Sequence, residues 1–285
     1  CIRDRPAFTL LHVGSGFANG IANLHNAGRG NTPMVNIVGA NASYHQPNFP
    51  EHEMIGGKIT DLARAVSHWA REAKSASELG LLGAEAVRYA MTGSGKICTL
   101  VAPTNCHWDP SAGVPVIDAP IATPRVSPDT VEAVLELLSN GRKTGLLLGA
   151  HALRLEGLEL AGRIAAKTGA QLLAETFPAR MARGEGMVQV QLVPYVLEIA
   201  QLFFADYEQI ILVGALPPVS TFAYQNTAMF KEPESCEVMH FASANHDAIA
   251  ALSDLERALD AGAEAAARVE RVEPVSYTHL RAHET

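Results

Sequence analysis

Short apolar runs alternate along this chain with longer stretches in which apolar residues recur every three or four positions. The runs Ala7–Val13, Met34–Val38 and Ile97–Val101 predict buried strands. Phe17–Ala27 and Ala76–Met91 predict helices, the second with Leu79, Leu82, Ala86, Val87 and Ala90 at helical spacing. The second half repeats the alternation. Helix Asp129–Ser139 leads to strand Thr144–Ala150, helix Leu153–Thr168 to strand Ala170–Thr176, and helix Leu192–Phe204 to strands Gln209–Ala215 and Cys236–Ala242; helix Ala248–Ala261 follows. Such a rhythm predicts an α/β protein of two open, mainly parallel sheets with helices on both faces.

Between the halves runs "DPSAGVPVIDAPIATPRVSPDT", with prolines at 110, 115, 120, 124 and 128. Proline removes a backbone donor and disfavours helix in the residue before it, so the stretch reads as an extended connector. Ser127 then offers an N-cap, with Pro128 at the first helical position. The predicted division is a first domain over 1–113, a linker over 114–127, a second domain over 128–262 and a tail over 263–285. Within the first domain, "GANASYHQPNFPEHEMIGGK" is a long polar loop, and loops of that length usually serve function or cover a partner surface.

Composition narrows the function classes. Of 285 residues, 48% are hydrophobic and 18% charged, which allows a sizeable core. A net charge of −8 argues against sequence-independent nucleic-acid binding, which needs clustered cations against phosphate. No apolar run approaches the roughly 20 residues of a membrane span. Cys1, Cys98, Cys106 and Cys236 form no CxxC pair, so buried reduced thiols in a cytoplasmic protein are expected. The chain opens on Cys1-Ile-Arg-Asp without a starting Met, and a fragment is the expectation. In the tail, His279 and His283 stand at the spacing of a helical zinc pair, but no Glu follows the first. "VSYTHLRAHET" is similar to the peptide that arises when adapter DNA is translated, so a disordered or artefactual tail and no metal site are expected.

"LLHVGSGFANGIANLHN", Leu10 to Asn26, carries Gly14, Gly16 and Gly20 after a strand, close to a dinucleotide fingerprint. That fingerprint also needs an acid about 20 residues on, to bind the ribose. Here the next strand ends on Gly39-Ala40-Asn41, and no carboxylate lies between Asp4 and Glu51. The dinucleotide reading therefore loses its partner residue.

The ordered features fit another family. Gly14-Ser15-Gly16 with Asn19, Asn23 to Ala27, and Thr32-Pro33 to Gly39 resemble the pyrimidine-binding domain of thiamine-diphosphate enzymes, in the branch like acetolactate synthase and benzoylformate decarboxylase. "SHWAREAKSASEL", "GKICTLVAPTNCHWD" with Pro103 and Asp109, and "ILVGALPPVSTFAY" are similar to later parts of the same enzymes. The resemblance runs from residue 5 to about residue 262. It implies thiamine diphosphate as cofactor, with Mg²⁺ held outside this stretch, since no Gly-Asp-Gly occurs in the sequence. The family's pyrimidine-protonating glutamate would precede Cys1.

By the same resemblance His12 is the candidate acid/base, and Gly14, Ser15, Gly16 and Asn19 the candidate cofactor wall. Gly149, Ala150 and His151 mark where some relatives hold FAD. A 2-keto acid is the implied substrate, and a homodimer or homotetramer the implied assembly, with neither nucleic acid nor membrane as partner. The leading function is an acetolactate-synthase-like enzyme. A benzoylformate- or phenylpyruvate-type decarboxylase, a non-catalytic scaffold of this fold, and a flavin- or nucleotide-binding protein are the alternatives.

Overall fold

The computed structural model describes residues 5–113, 115–116, 121–223, 225, 227–265 and 267–271. The chain divides into two compact units, residues 1–124 with 244–247, and residues 125–243 with 248–285.

In the first unit the strands are β1 (Ala7–His12), β2 (Met34–Ala40), β3 (Trp69–Glu72) and β4 (Ile97–Pro103). They form one parallel sheet in the order β1-β2-β4-β3. All seven residues of β4 are buried, as a central strand covered on both faces requires. Helices α1 (Val13–Arg29) and α2 (Ile59–Arg64) cover one face through Phe17, Leu24, Ile59 and Ala63, packed on Val38 and Val101. Helix α3 (Ala76–Ala90) covers the other through Leu82, Ala86 and Ala90, packed on Val35, Cys98 and Leu100. Ser75 caps α3 by accepting from the Glu78 N–H. A short helix α4 (Asn105–Trp108) follows β4.

Register in this sheet is pinned by a buried polar ladder. Thr9, Asn36 and Thr99 are register partners on β1, β2 and β4. Thr9 Oγ1 donates to Asn36 Oδ1 at 2.7 Å, and Asn36 Nδ2 donates to Thr99 Oγ1 at 3.1 Å. A one-residue slip would break both bonds. Strand β1 is an edge, and its Phe8 and Leu10 are 57% and 78% exposed.

The second unit holds α5 (Pro128–Ser139), β5 (Thr144–Leu148), α6 (Leu155–Thr168), β6 (Gln171–Ala174), β7 (Gln191–Leu192), α7 (Leu197–Phe204), β8 (Gln209–Val213), β9 (Glu237–Ala242) and α8 (Ala248–Ala258). Its sheet is parallel in the order β7-β6-β5-β8-β9. Ser127 Oγ accepts from the Thr130 N–H, so α5 starts on the cap that the sequence predicts. Helices α5, α6 and α8 pack on one face, and α7 with Phe204 and Tyr207 on the other. Both units are therefore the predicted parallel α/β layers.

Four local expectations change. Helix α1 begins at Val13, ahead of the expected Phe17, so the glycines lie in its first turns and not in a loop. The segment before α3 contains α2 and β3, which a short strand with only Trp69 buried did not announce. Leu192 pairs in β7, and α7 starts later than expected, at Leu197. Part of the tail is ordered: Val188 bridges Arg268, and Gln189 N–H donates to Ala267 O at 2.9 Å. Arg268 also grips Glu159 with two bonds of 2.8 Å, which draws that carboxyl below its usual range. His279 and His283 lie outside the described residues.

Cys98, Cys106 and Cys236 are free and buried. Burial pushes the Cys98 thiol up to about 12 and the Cys236 thiol up to about 11, so both stay protonated. No helix among the described residues is long and apolar enough to cross a membrane.

Candidate functional site

Strand β1 runs into helix α1 without a loop. The corner is made at Val13, whose φ of 45° is rare for a β-branched residue. His12 ends the strand in extended geometry and serves as the helix N-cap without a side-chain capping bond. Its register partner is Gly39 on β2. The candidate residues therefore stand at the carboxyl ends of parallel strands, where open α/β sheets bind ligands.

The first turns of α1 present two faces. Ser15 and Asn19 are exposed and lie one turn apart on the solvent side. Gly16 adjoins His12: a Cβ there would lie 3.4 Å from the His12 Cβ and meet nothing else within 4 Å. His12, Ser15, Gly16 and Asn19 thus form one open surface with an imidazole, a hydroxyl and an amide. Gly14 faces the other way and is buried. A Cβ there would meet Met54 Sδ at 2.3 Å and Met54 Cγ at 3.0 Å. Met54 therefore fills the space beside Gly14, on the core side of the candidate cofactor wall.

The loop after β2 supplies polar residues that the sequence pattern did not single out. Glu53 Oε2 accepts from Asn41 Nδ2 at 2.9 Å, and Asn105 Oδ1 accepts from the Ser43 N–H at 2.9 Å. Thr104 Oγ1 donates to Ala40 O at 2.8 Å. Glu53 brings a carboxylate to this end of the sheet from distant sequence. Its place close behind Glu51, the first acid after Asp4, was the one signal that could have found it.

The donor set at His12, Ser15, Gly16 and Asn19 fits a flat polar ring laid against the helix. The flavin expectation falls on Gly149, Ala150 and His151. A Cβ at Gly149 would lie 2.6 Å from Gly214 O and 2.8 Å from Ala215 Cα. That glycine closes the seam between the β5 and β8 exits, where backbone packs on backbone. Among the described residues, no group of three or more His, Cys, Asp or Glu is arranged to hold a metal ion.

Residues 2–63 match the family described as thiamine pyrophosphate enzyme, N-terminal TPP binding domain. The chain is 38% identical over 259 residues to a protein of Mycobacterium tuberculosis named putative acetolactate synthase large subunit IlvX, covering 89% of this chain and 48% of that one. Among solved structures it resembles a putative thiamin diphosphate-dependent enzyme from Mycobacterium smegmatis, with a TM-score of 0.71, 18% identity, and 88% and 50% of the two chains covered. It also resembles the thiamine diphosphate-dependent 4-hydroxybenzoylformate decarboxylase of Rhodococcus jostii, with a TM-score of 0.71, 16% identity, and 94% and 54% covered. Benzoylformate decarboxylase from Polynucleobacter necessarius gives a TM-score of 0.73, 16% identity, and 97% and 54% covered. At these identities the structural likeness speaks for the fold. The chain spans about half the length of the relatives it matches. The matched N-terminal domain and the similarity along the chain agree with the motif set around His12 and Asn19: residues 2–63 match the cofactor-binding domain of thiamine-diphosphate-dependent enzymes, and the chain as a whole is similar to them.

Proposed function

We propose that this chain forms the pyrimidine-facing part and the central domain of an acetolactate-synthase-like enzyme that acts on pyruvate or a similar 2-keto acid. The observation that carries the reading is the open surface of His12, Ser15, Gly16 and Asn19 at the carboxyl end of β1, inside the segment that matches the cofactor-binding family. In this reading Gly16 lets a planar group approach the helix backbone, while Ser15 and Asn19 supply hydrogen bonds to its polar edge. His12, exposed beside it, holds or releases a proton at an imidazole nitrogen, the acid/base task that histidine serves most often. Thiamine diphosphate, when bound, supplies the carbon nucleophile and the electron sink that decarboxylation of a 2-keto acid needs. Mg²⁺ and the diphosphate belong to a part of the protein outside this sequence, and a cytoplasmic homodimer or homotetramer is the assembly that completes the site.

A decarboxylase of the benzoylformate type is the second reading, favoured by the exposed imidazole at the strand end. The test is the full-length enzyme with thiamine diphosphate, Mg²⁺ and a panel of 2-keto acids. Carbon dioxide release from pyruvate with a carbon–carbon coupled product is expected. Release without coupling, with aromatic 2-keto acids preferred, selects the second reading, and silence across the panel refutes both. His12→Ala should lower kcat by about 100-fold or more, the usual contribution of a positioned acid/base, with cofactor binding retained.

A further inference from the structure

The second unit carries a cation that the chain itself does not balance. Lys231 is 3% exposed. Its ammonium donates to Thr176 Oγ1 at 2.9 Å and to the Pro194 carbonyl at 3.0 Å. Both acceptors are neutral, and among the described residues no carboxylate pairs with this lysine. Burial alone holds its amine below the usual lysine range. Glu232, next in the chain, acts on the Cys236 thiol and not on this amine. A buried ammonium without an anion is costly, which suits a site whose anion arrives with a ligand.

Lys231 also sits where open α/β sheets bind ligands. Thr176 and Phe177 follow the carboxyl end of β6, and Pro194 and Tyr195 follow that of β7. The chain leaving β8 folds back on itself, with Val219 bridging Phe230 antiparallel and the Lys231 N–H donating to Pro218 O at 2.9 Å. That fold brings Lys231 to Thr176 and Phe222 to Tyr195. The Phe177 and Tyr195 ring centres lie 5.3 Å apart, and those of Tyr195 and Phe222 6.1 Å apart. All three rings are exposed. Exposed aromatic surface around a buried polar anchor is the composition of small-molecule sites.

From this arrangement we infer that this edge of the second sheet binds a flat aromatic carboxylate, its head group on Lys231 and Thr176 and its ring against Phe177, Tyr195 and Phe222. The count of donors sets the head group. An ammonium has three N–H donors, and Thr176 and Pro194 take two of them. The Thr176 hydroxyl accepts from Lys231 and so keeps its own hydrogen to donate. One N–H and one O–H side by side match the two oxygens of a carboxylate. A phosphate brings three oxygens and more charge, for which this anchor has no further donor. The rings favour an aromatic body, which can meet them edge to face or offset. The inference concerns the second unit alone and stands whether or not the thiamine-diphosphate reading holds.

Benzoate is the probe, titrated into the 285-residue chain by calorimetry and by ligand-observed NMR. Saturable binding is expected. Benzamide, which has the ring without the charge, and phenyl phosphate should each bind about tenfold more weakly or worse. Lys231→Met should weaken benzoate by about tenfold or more, the share of one hydrogen bond to a charged group. The same variant should raise the thermal midpoint of the free chain, because an apolar side chain replaces a buried, unbalanced charge. It should also abolish the rise in midpoint that benzoate gives the wild type. Phe222→Ala trims an exposed ring and should weaken benzoate about fivefold through the lost aromatic contact, so the test holds even where Lys231→Met does not fold. Lack of saturable benzoate binding overturns the proposal. So does equal binding of benzamide, tighter binding of phenyl phosphate, or wild-type affinity in either folded variant.

Discussion

Single residues in the first sheet carry more specification than their hydrophobicity suggests. Asn36 is wholly buried in a strand, yet both ends of its amide are used, toward Thr9 and Thr99. Ser67 Oγ lies 2.7 Å from Thr99 Oγ1 and extends the same network. Removing one member leaves its buried neighbours without partners, which costs about 1–3 kcal/mol, whereas removing both members of a pair costs less. Asn36→Ala should therefore lower unfolding stability by about 2 kcal/mol in urea titration, and Asn36→Val with Thr99→Val should be less harmful than Asn36→Ala. His68 makes a second residue-scale case. Burial, aided by the charge of Lys96, holds its imidazole below the usual histidine value, and its Nδ1 accepts from the Ile97 N–H at 3.1 Å. The folded state therefore prefers the neutral ring, and the unfolded chain takes up the proton first as the pH falls. Stability from this group is complete above the ordinary histidine range and is lost as pH drops through it. Urea midpoints measured from neutral to mildly acidic pH should show that decline, and His68→Gln should flatten it.

Elements were legible in the sequence where pattern and length agreed, and obscure where a corner or an edge took over. Strands β2, β4, β5 and β8 are mainly apolar runs, so their positions could be read directly. β3 and β7 are short edge strands with mostly half-buried or exposed residues, and nothing in their composition separates them from loop. The candidate site was legible as a set of residue types but not as a shape. Gly14-Ser15-Gly16 reads as a turn, because a non-glycine corner at Val13 is not something a sequence displays. Gly14 and Gly16 then part company, one toward Met54 and one toward His12, a division that helical geometry imposes. The second unit repeats the device: Ala150 turns the corner after β5 at φ 45°, and Gly149 and Gly214 meet back to back. Close packing of backbone on backbone cannot relax as a flexible side chain can. Gly149→Ala should accordingly destabilise the chain by about 1–3 kcal/mol, the usual cost of overpacking, seen as a fall of several degrees in the thermal midpoint. Gly169→Ala tests a different term, since that glycine ends α6 at φ 76° with open space around it. Its cost is conformational only, about 1 kcal/mol.

For the whole molecule, the decisive quantity is apolar surface that the described residues leave bare. In the first unit Phe8 and Leu10 project from an edge strand whose sheet is otherwise covered on that face by α3. In the second unit α7 buries Leu197, Ala200 and Phe204 yet leaves Val196, Ile199 and Leu202 exposed just before and along the opposite side. Exposed apolar residues on the outer side of a helix call for a cover, and an all-parallel sheet belongs under two layers. Patches of this kind drive association, and the net charge of −8 opposes it only weakly at physiological salt, where exposed charges are screened within about 8 Å. The 285-residue chain should therefore self-associate as its concentration rises, giving a mass above 30.3 kDa by light scattering and a rise in fluorescence of an apolar dye. Leu10→Lys and Leu202→Lys should each reduce both signals, because each places a charge at the centre of a patch without touching a buried contact. The double variant should come nearest to the monomer mass. A chain that stays monomeric at high concentration, with no dye response, would mean that these faces are too dispersed to act as patches.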